Sequence, residues 1–141
     1  MNDKQIHILH IEDDKVDKMV MEKLLKTVTT VATIHHAQDG QEALDKLRGT
    51  NKHEKLSPFP QIILSDINMP RMSGMEFLKA LRADAELKHL SVFLFTTSKD
   101  DHDLYEAYQY NVTGYIVKPL NIIQVEALCK SIGMFWNLCE Y

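Results

Sequence analysis

The side chains best suited to chemistry stand just past short apolar runs. Glu12 and Asp13 follow "IHILHI", and Asp66 follows "QIILS". Thr96 closes "SVFLFT" with Thr97 behind it, and Lys118 ends "GYIVK" ahead of Pro119. Carboxylates gathered at one place repel unless a cation lies among them. Hard oxygen ligands with room left for water suit Mg2+, which is satisfied by one or two carboxylates plus a phosphate. A lysine ammonium and a threonine hydroxyl complement a phosphoryl group as point charge and hydrogen-bond donor. Each residue alone has a blander explanation: the acidic triplet Glu12-Asp13-Asp14 as a helix cap with solvated acids, Thr96 as an ordinary strand residue, Lys118 as a surface lysine. Their joint occurrence at the ends of separate runs is what points to a cation and a phosphoryl group.

Those tips can meet only if the runs are strands of one sheet. Between them lie segments with helical spacing. Residues 15–28 carry Val16, Met19, Val20, Leu24 and Val28 as an apolar face. "VATIH" (31–35) is β-branched and reads as a strand. Asp39 fits the N-cap of the helix "GQEALDKLRG", with Glu42 at the capping-box position and Gly49 as its stop. The segment 50–60 is polar with two prolines and reads as a loop. A short helix over 74–81, a helix near 100–110 ended by Asn111 and a last helix over 121–139 complete five β-α units. Continuous apolar strands alternating with amphipathic helices predict a parallel sheet covered on both faces. Such sheets bind ligands beyond the carboxyl ends of their strands, where the reactive side chains stand.

Composition narrows the class. At 141 residues with 45% hydrophobic and 26% charged residues, the chain suits one globular domain with a proper core. A net charge of -4 argues against a general affinity for nucleic acid. Cys129 and Cys139 form neither a disulfide framework nor a zinc spacing, which suits a reducing compartment. With no signal peptide and no apolar run of membrane-spanning length, the expected location is cytoplasmic and no membrane partner is expected. His35 and His36 are neighbours on a strand, so they point to opposite faces and cannot easily share an ion.

The motifs "HIEDD", "ILSDINMPRMSG", "FTTS" and "GYIVKP", in this order and at these intervals, resemble the response-regulator receiver domains of bacterial two-component signalling, the CheY type. The match runs over essentially the whole chain. It implies a flavodoxin-like (βα)5 three-layer sandwich with a five-stranded parallel sheet of order 2-1-3-4-5. It implies that Asp66 takes a phosphoryl group from the phosphohistidine of a sensor histidine kinase. Asp13 matches a direct Mg2+ ligand, Glu12 an acid acting through metal-bound water, and Asn68 the position whose backbone carbonyl completes the metal shell. Thr96 matches the switch hydroxyl, Tyr115 the aromatic that swings inward with it, and Lys118 the lysine paired with the phosphoryl oxygens. Pro119 matches the turn after that lysine, and a cis Lys118-Pro119 bond would aim it.

This chain departs from the common pattern in places. Glu12 replaces the more frequent aspartate, Thr97 stands where a smaller residue is frequent, and the 50–60 segment is long. That segment and Phe135-Trp136 are similar to the subset of single-domain regulators paired with bacterial phytochromes. Only one helix follows Lys118, so a single receiver domain without an output domain is expected. The output would then be a contact made by the domain itself, with a downstream protein target of unknown identity, or a relay of the phosphoryl group. An aspartyl phosphatase or phosphotransferase is a second class, since "DIN" loosely matches D-x-D. It lacks the second acid, and the chain has no room for a substrate cap. A receiver that binds partners without phosphorylation would have lost the acceptor, the metal acid or the lysine, and none is lost.

The last helix adds an expectation of its own. Ile122, Val125, Leu128, Cys129, Ile132, Phe135, Trp136 and Cys139 form one broad stripe able to cover the sheet. Ile123, Ala127, Met134 and Leu138 fall on a second sector outside it. The second sector predicts a homodimer or a target site on the 121–139 face.

Overall fold

The computed structural model describes residues 6–28, 32–97 and 101–118, with positions 121, 123, 124, 126–128, 130 and 131 beyond them. Strands and helices alternate: β1 (Ile6–Ile11), α1 (Lys15–Val28), β2 (Ala32–Ala37), α2 (Gly40–Arg48), β3 (Ile62–Asp66), α3 (Gly74–Ala83), β4 (Ser91–Thr96), α4 (Asp101–Gln109) and β5 (Gly114–Val117). All neighbouring strand pairs are parallel, and the order is β2-β1-β3-β4-β5. The sandwich and its strand order therefore match expectation, and β3 runs one residue further, so that Asp66 is its last residue.

Local sequence explains where the elements start. The Asp14 carboxylate accepts the Val16 and Asp17 N–H groups at 2.8 and 3.0 Å and opens α1. Asp39 caps α2 by accepting from Glu42 N, and Gly49 closes it in the left-handed region at φ 74°. The reciprocal half of a capping box is not made by Glu42, whose carboxylate instead pairs with Lys46 at 3.0 Å. A full capping box stands at α3, between Ser73 and Glu76. Further on, Asn121 and Gln124 exchange two bonds of 2.9 and 2.8 Å, and the described positions from 123 to 131 are helical.

Two cores flank the sheet. Leu9, Ile11 and Ile63 pack with Leu44, Leu47, Phe77, Leu78 and Leu81 of α2 and α3. On the other face, Ile6, Ile8, Leu64 and Phe95 pack with Met21 and Leu25 of α1, with Leu128 against them. This corrects the apolar face assigned to α1. Val16, Met19 and Val20 are 67%, 68% and 50% exposed, whereas Met21 and Leu25 are buried. At about 100° per residue, Met21, Leu24 and Leu25 share one side. That side meets the sheet, and Val16, Met19 and Val20 fall outside it.

Of the last-helix stripe, Leu128 packs on the core as expected. Ile122, Val125, Cys129, Ile132, Met134, Phe135, Trp136, Leu138 and Cys139 lie outside the described residues, as do Pro119 and its bond to Lys118. The two neighbouring histidines do part company: His35 stacks on His7 at 5.8 Å, and His36 lies beside His10 at 6.1 Å.

Candidate functional site

The acidic triplet after β1 divides into separate tasks. Glu12 N donates to Ala37 O at 3.0 Å, extending the strand ladder by one step. That extension turns the Glu12 side chain inward, where it is 4% exposed, while Asp13 stays exposed. Asp14 is the cap described above and belongs to α1 alone.

Asp66 ends β3 half-buried and in register with Phe95 of β4. The chain then folds back sharply: Ile67 N donates to Phe95 O at 2.9 Å, and Gly74 N donates to Ile67 O at 2.8 Å. A Cβ on Gly74 would lie 2.3 Å from Asp66 O, so the start of α3 approaches the acceptor strand as only glycine allows.

These tips do converge. Glu12, Asp13 and Asp66 each place a carboxylate oxygen within 4.8 Å of the others. Lys118 Nζ lies 3.1 Å from Asp66 Oδ1, 3.4 Å from Glu12 Oε1 and 3.8 Å from Asp17 Oδ2. Burial raises the Glu12 pKa to about 8, and the neighbouring Asp66 charge adds to the effect. Partial burial works against the Lys118 ammonium, but Asp66 and then Glu12 outweigh it and hold its pKa above the ordinary lysine value. The second Glu12 oxygen, Oε2, is buried without a hydrogen-bond partner among the described residues. Three clustered carboxylates, with an unpartnered buried oxygen on Glu12, form a set that fits a hard divalent cation.

The remaining expected residues distribute less evenly. Asn68 is exposed and joins Asp66, Glu12, Lys118 and Thr97 in the wall of a cavity of about 450 Å3. Thr96 is 2% exposed, and among the described residues it is Thr97 that lines the wall. Lys118 N donates to Thr96 O at 2.6 Å, which ties the end of β5 to the end of β4. Tyr115 sits half-buried against the core on the α2–α3 side.

Two ionisable residues of the cavity wall were not singled out from the sequence. Asp17 is one helical turn beyond Asp13, and that spacing was the signal that could have placed it at the strand tip. His10 faces the cavity from within β1, where burial and then His36 lower its pKa to about 4. Its only signal was a histidine inside an apolar run.

Comparison with known proteins agrees with this geometry. Residues 8–130 match the response regulator receiver domain model. Response regulator Rcp1 of Synechocystis sp. is 32% identical over 129 residues, covering 92% of this chain and 87% of that protein. The phosphorylated cyanobacterial phytochrome response regulator RcpA superposes with a TM-score of 0.79 at 30% identity, over 94% of each chain. The Mn2+-bound form of Rcp1 superposes with a TM-score of 0.78 at 30% identity, over 96% of this chain and 97% of that one. No helix among the described residues is long and apolar enough to cross a membrane.

Proposed function

The chain belongs to the response regulator receiver domain family, and from that premise we propose that Asp66 accepts a phosphoryl group from a histidine kinase phosphohistidine. Asp66 Oδ attacks phosphorus, the P–N bond to the kinase imidazole breaks, and the imidazole leaves with the bonding electron pair and takes a proton from solvent. Asp13 and Asp66, with the Asn68 carbonyl and with Glu12 through water, would hold Mg2+. Once bound, that ion supplies neutralisation of the phosphoryl oxygens for in-line displacement. Lys118 holds the Asp66 carboxylate before transfer and pairs with a phosphoryl oxygen afterwards.

The observation that carries this reading is the contact of Lys118 with Asp66 at 3.1 Å beside the three-carboxylate cluster. Thr96 and Tyr115 act as the switch, and the bond between Lys118 N and Thr96 O supports coupling between them. The kinase to test first is of phytochrome type, because the similar protein RcpA is a cyanobacterial phytochrome response regulator. Acetyl phosphate with Mg2+ should label the chain once, at Asp66, giving a base-labile adduct. Asp66→Asn should abolish labelling while leaving the fold intact. Persistent labelling of that variant removes Asp66 as the acceptor.

The output surface we propose is the 121–139 face, through a second copy or a target protein. Ile123 is 73% exposed there and Ala127 is exposed as well. Sedimentation of wild type and Met134→Glu/Leu138→Glu, with and without phosphorylation, separates the two versions. A wild type that stays monomeric in both states leaves only the target site.

A further inference from the structure

The segment 67–73 between β3 and α3 carries Asn68, whose backbone carbonyl is assigned above to the metal. A carbonyl ligand cannot be aimed by choosing a rotamer, because the path of the chain alone sets its position. Hydrogen bonds hold both ends of the segment: Ile67 N to Phe95 O and Gly74 N to Ile67 O, at 2.9 and 2.8 Å. Its middle has a different anchor. Arg71 Nε donates to Asp39 Oδ2 at 2.7 Å, and Arg71 Nη2 donates to the same oxygen.

Three features make this contact more than a surface ion pair. Asp39 has a side chain only 5% exposed, so its charge is buried and needs a partner. Its other oxygen, Oδ1, accepts the Glu42 N–H at 2.9 Å, so the same carboxylate caps α2 and holds the loop. Arg71 itself adopts φ 64°, a left-handed conformation that an arginine leaves unless something retains it. Next to it, Met72 lies so close to α2 that a Cβ on Gly40 would approach its Cγ and Sδ to 2.9 Å. The start of α2 is thus fitted against the loop that follows the acceptor, by charge at Arg71 and by shape at Met72.

We propose that Asp39 and Arg71 are positioning residues, which hold the 67–73 segment so that the Asn68 carbonyl stands ready for the cation. A loop held in place loses little freedom when the ion binds, whereas a released loop must be ordered at that moment. The inference rests on the metal-site reading above, and the two can fail separately.

The test is calorimetric titration of the full chain with Mg2+ alone, in wild type, Asp39→Asn, Arg71→Ala and the double variant. Asparagine caps a helix about as well as aspartate, so Asp39→Asn removes the charge partner and keeps the cap. Each single variant should bind Mg2+ about 10-fold more weakly, at the low end of the roughly 10- to 100-fold cost of removing a group that orients a ligand. The double variant should bind no more weakly than either single one, because both act through one contact. Arg71→Lys should recover part of the loss.

A purely structural pair would lower the urea midpoint and leave the Mg2+ affinity at the wild-type value, and that result overturns the proposal. Arg71 is 63% exposed, so Arg71→Ala decides alone if Asp39→Asn does not fold. Wild type that fails to bind Mg2+ sinks the metal reading and this inference together. Wild type that binds, with variants that match it, sinks only this inference.

Discussion

Glu12 offers the sharpest quantitative test of the site. Its carboxyl has an ordinary pKa of 4.5 and is raised to about 8 in the folded chain, by burial first and by Asp66 second. Across that window the folded state keeps a proton that the unfolded chain releases. Stability is therefore fully supported below the unfolded value and is lost as pH rises through the folded one. Between about pH 7 and about pH 8.5 a group with these two values accounts for a loss on the order of 1 kcal/mol. With a urea slope of about 2 kcal/mol per molar, the midpoint of metal-free protein should fall by about 0.5 M. His10, His35 and His36 have lowered pKa values and act in the opposite direction, mainly below that window. Glu12→Gln keeps the shape and removes the proton, so its midpoint should hold steady where wild type declines. The assay is urea unfolding with a chelator at both pH values, for both proteins, read as the difference between them. Added Mg2+ should restore wild type more at the higher pH, because the ion binds the ionised carboxylates. Equal slopes for wild type and Glu12→Gln would refute the assignment of a buried, proton-holding Glu12.

Gly74→Ala places a Cβ 2.3 Å from Asp66 O and 2.9 Å from Ile67 Cα, both backbone atoms that cannot step aside. It should cost about 3 kcal/mol and lower the melting temperature by roughly 8 °C, with slower labelling of Asp66; a wild-type melt and rate would contradict the close approach. Lys118→Ala should slow labelling without abolishing it, and it should remove the response that hydrogen exchange reads at β5 on phosphorylation. A full exchange response in the labelled variant would overturn the coupling role given to Lys118.

Much of this protein follows from its sequence because the governing rules are local. Alternation of β-branched runs with helical spacing specifies the order of the elements, and caps such as Asp39 and Gly49 mark their ends within a few residues. Reactive side chains at strand ends follow from the same pattern, since parallel strands bring their carboxyl ends to one edge. Tertiary structure decided what depends on partners distant in the chain. Helix α1 carries apolar residues on two sides, and only contact with Ile6, Ile8 and Phe95 selects Met21 and Leu25 for burial. Glu12 and Asp13 are equivalent as text, yet the bond from Glu12 N to Ala37 O sends one carboxylate inward and leaves the other outside. Arg71 meets Asp39 only because α2 and the loop after β3 lie side by side, a proximity created by packing and carried by no local signal. Propensity and periodicity act over a few residues, whereas burial, and with it the Glu12 pKa, is a property of the assembled sheet and its helices.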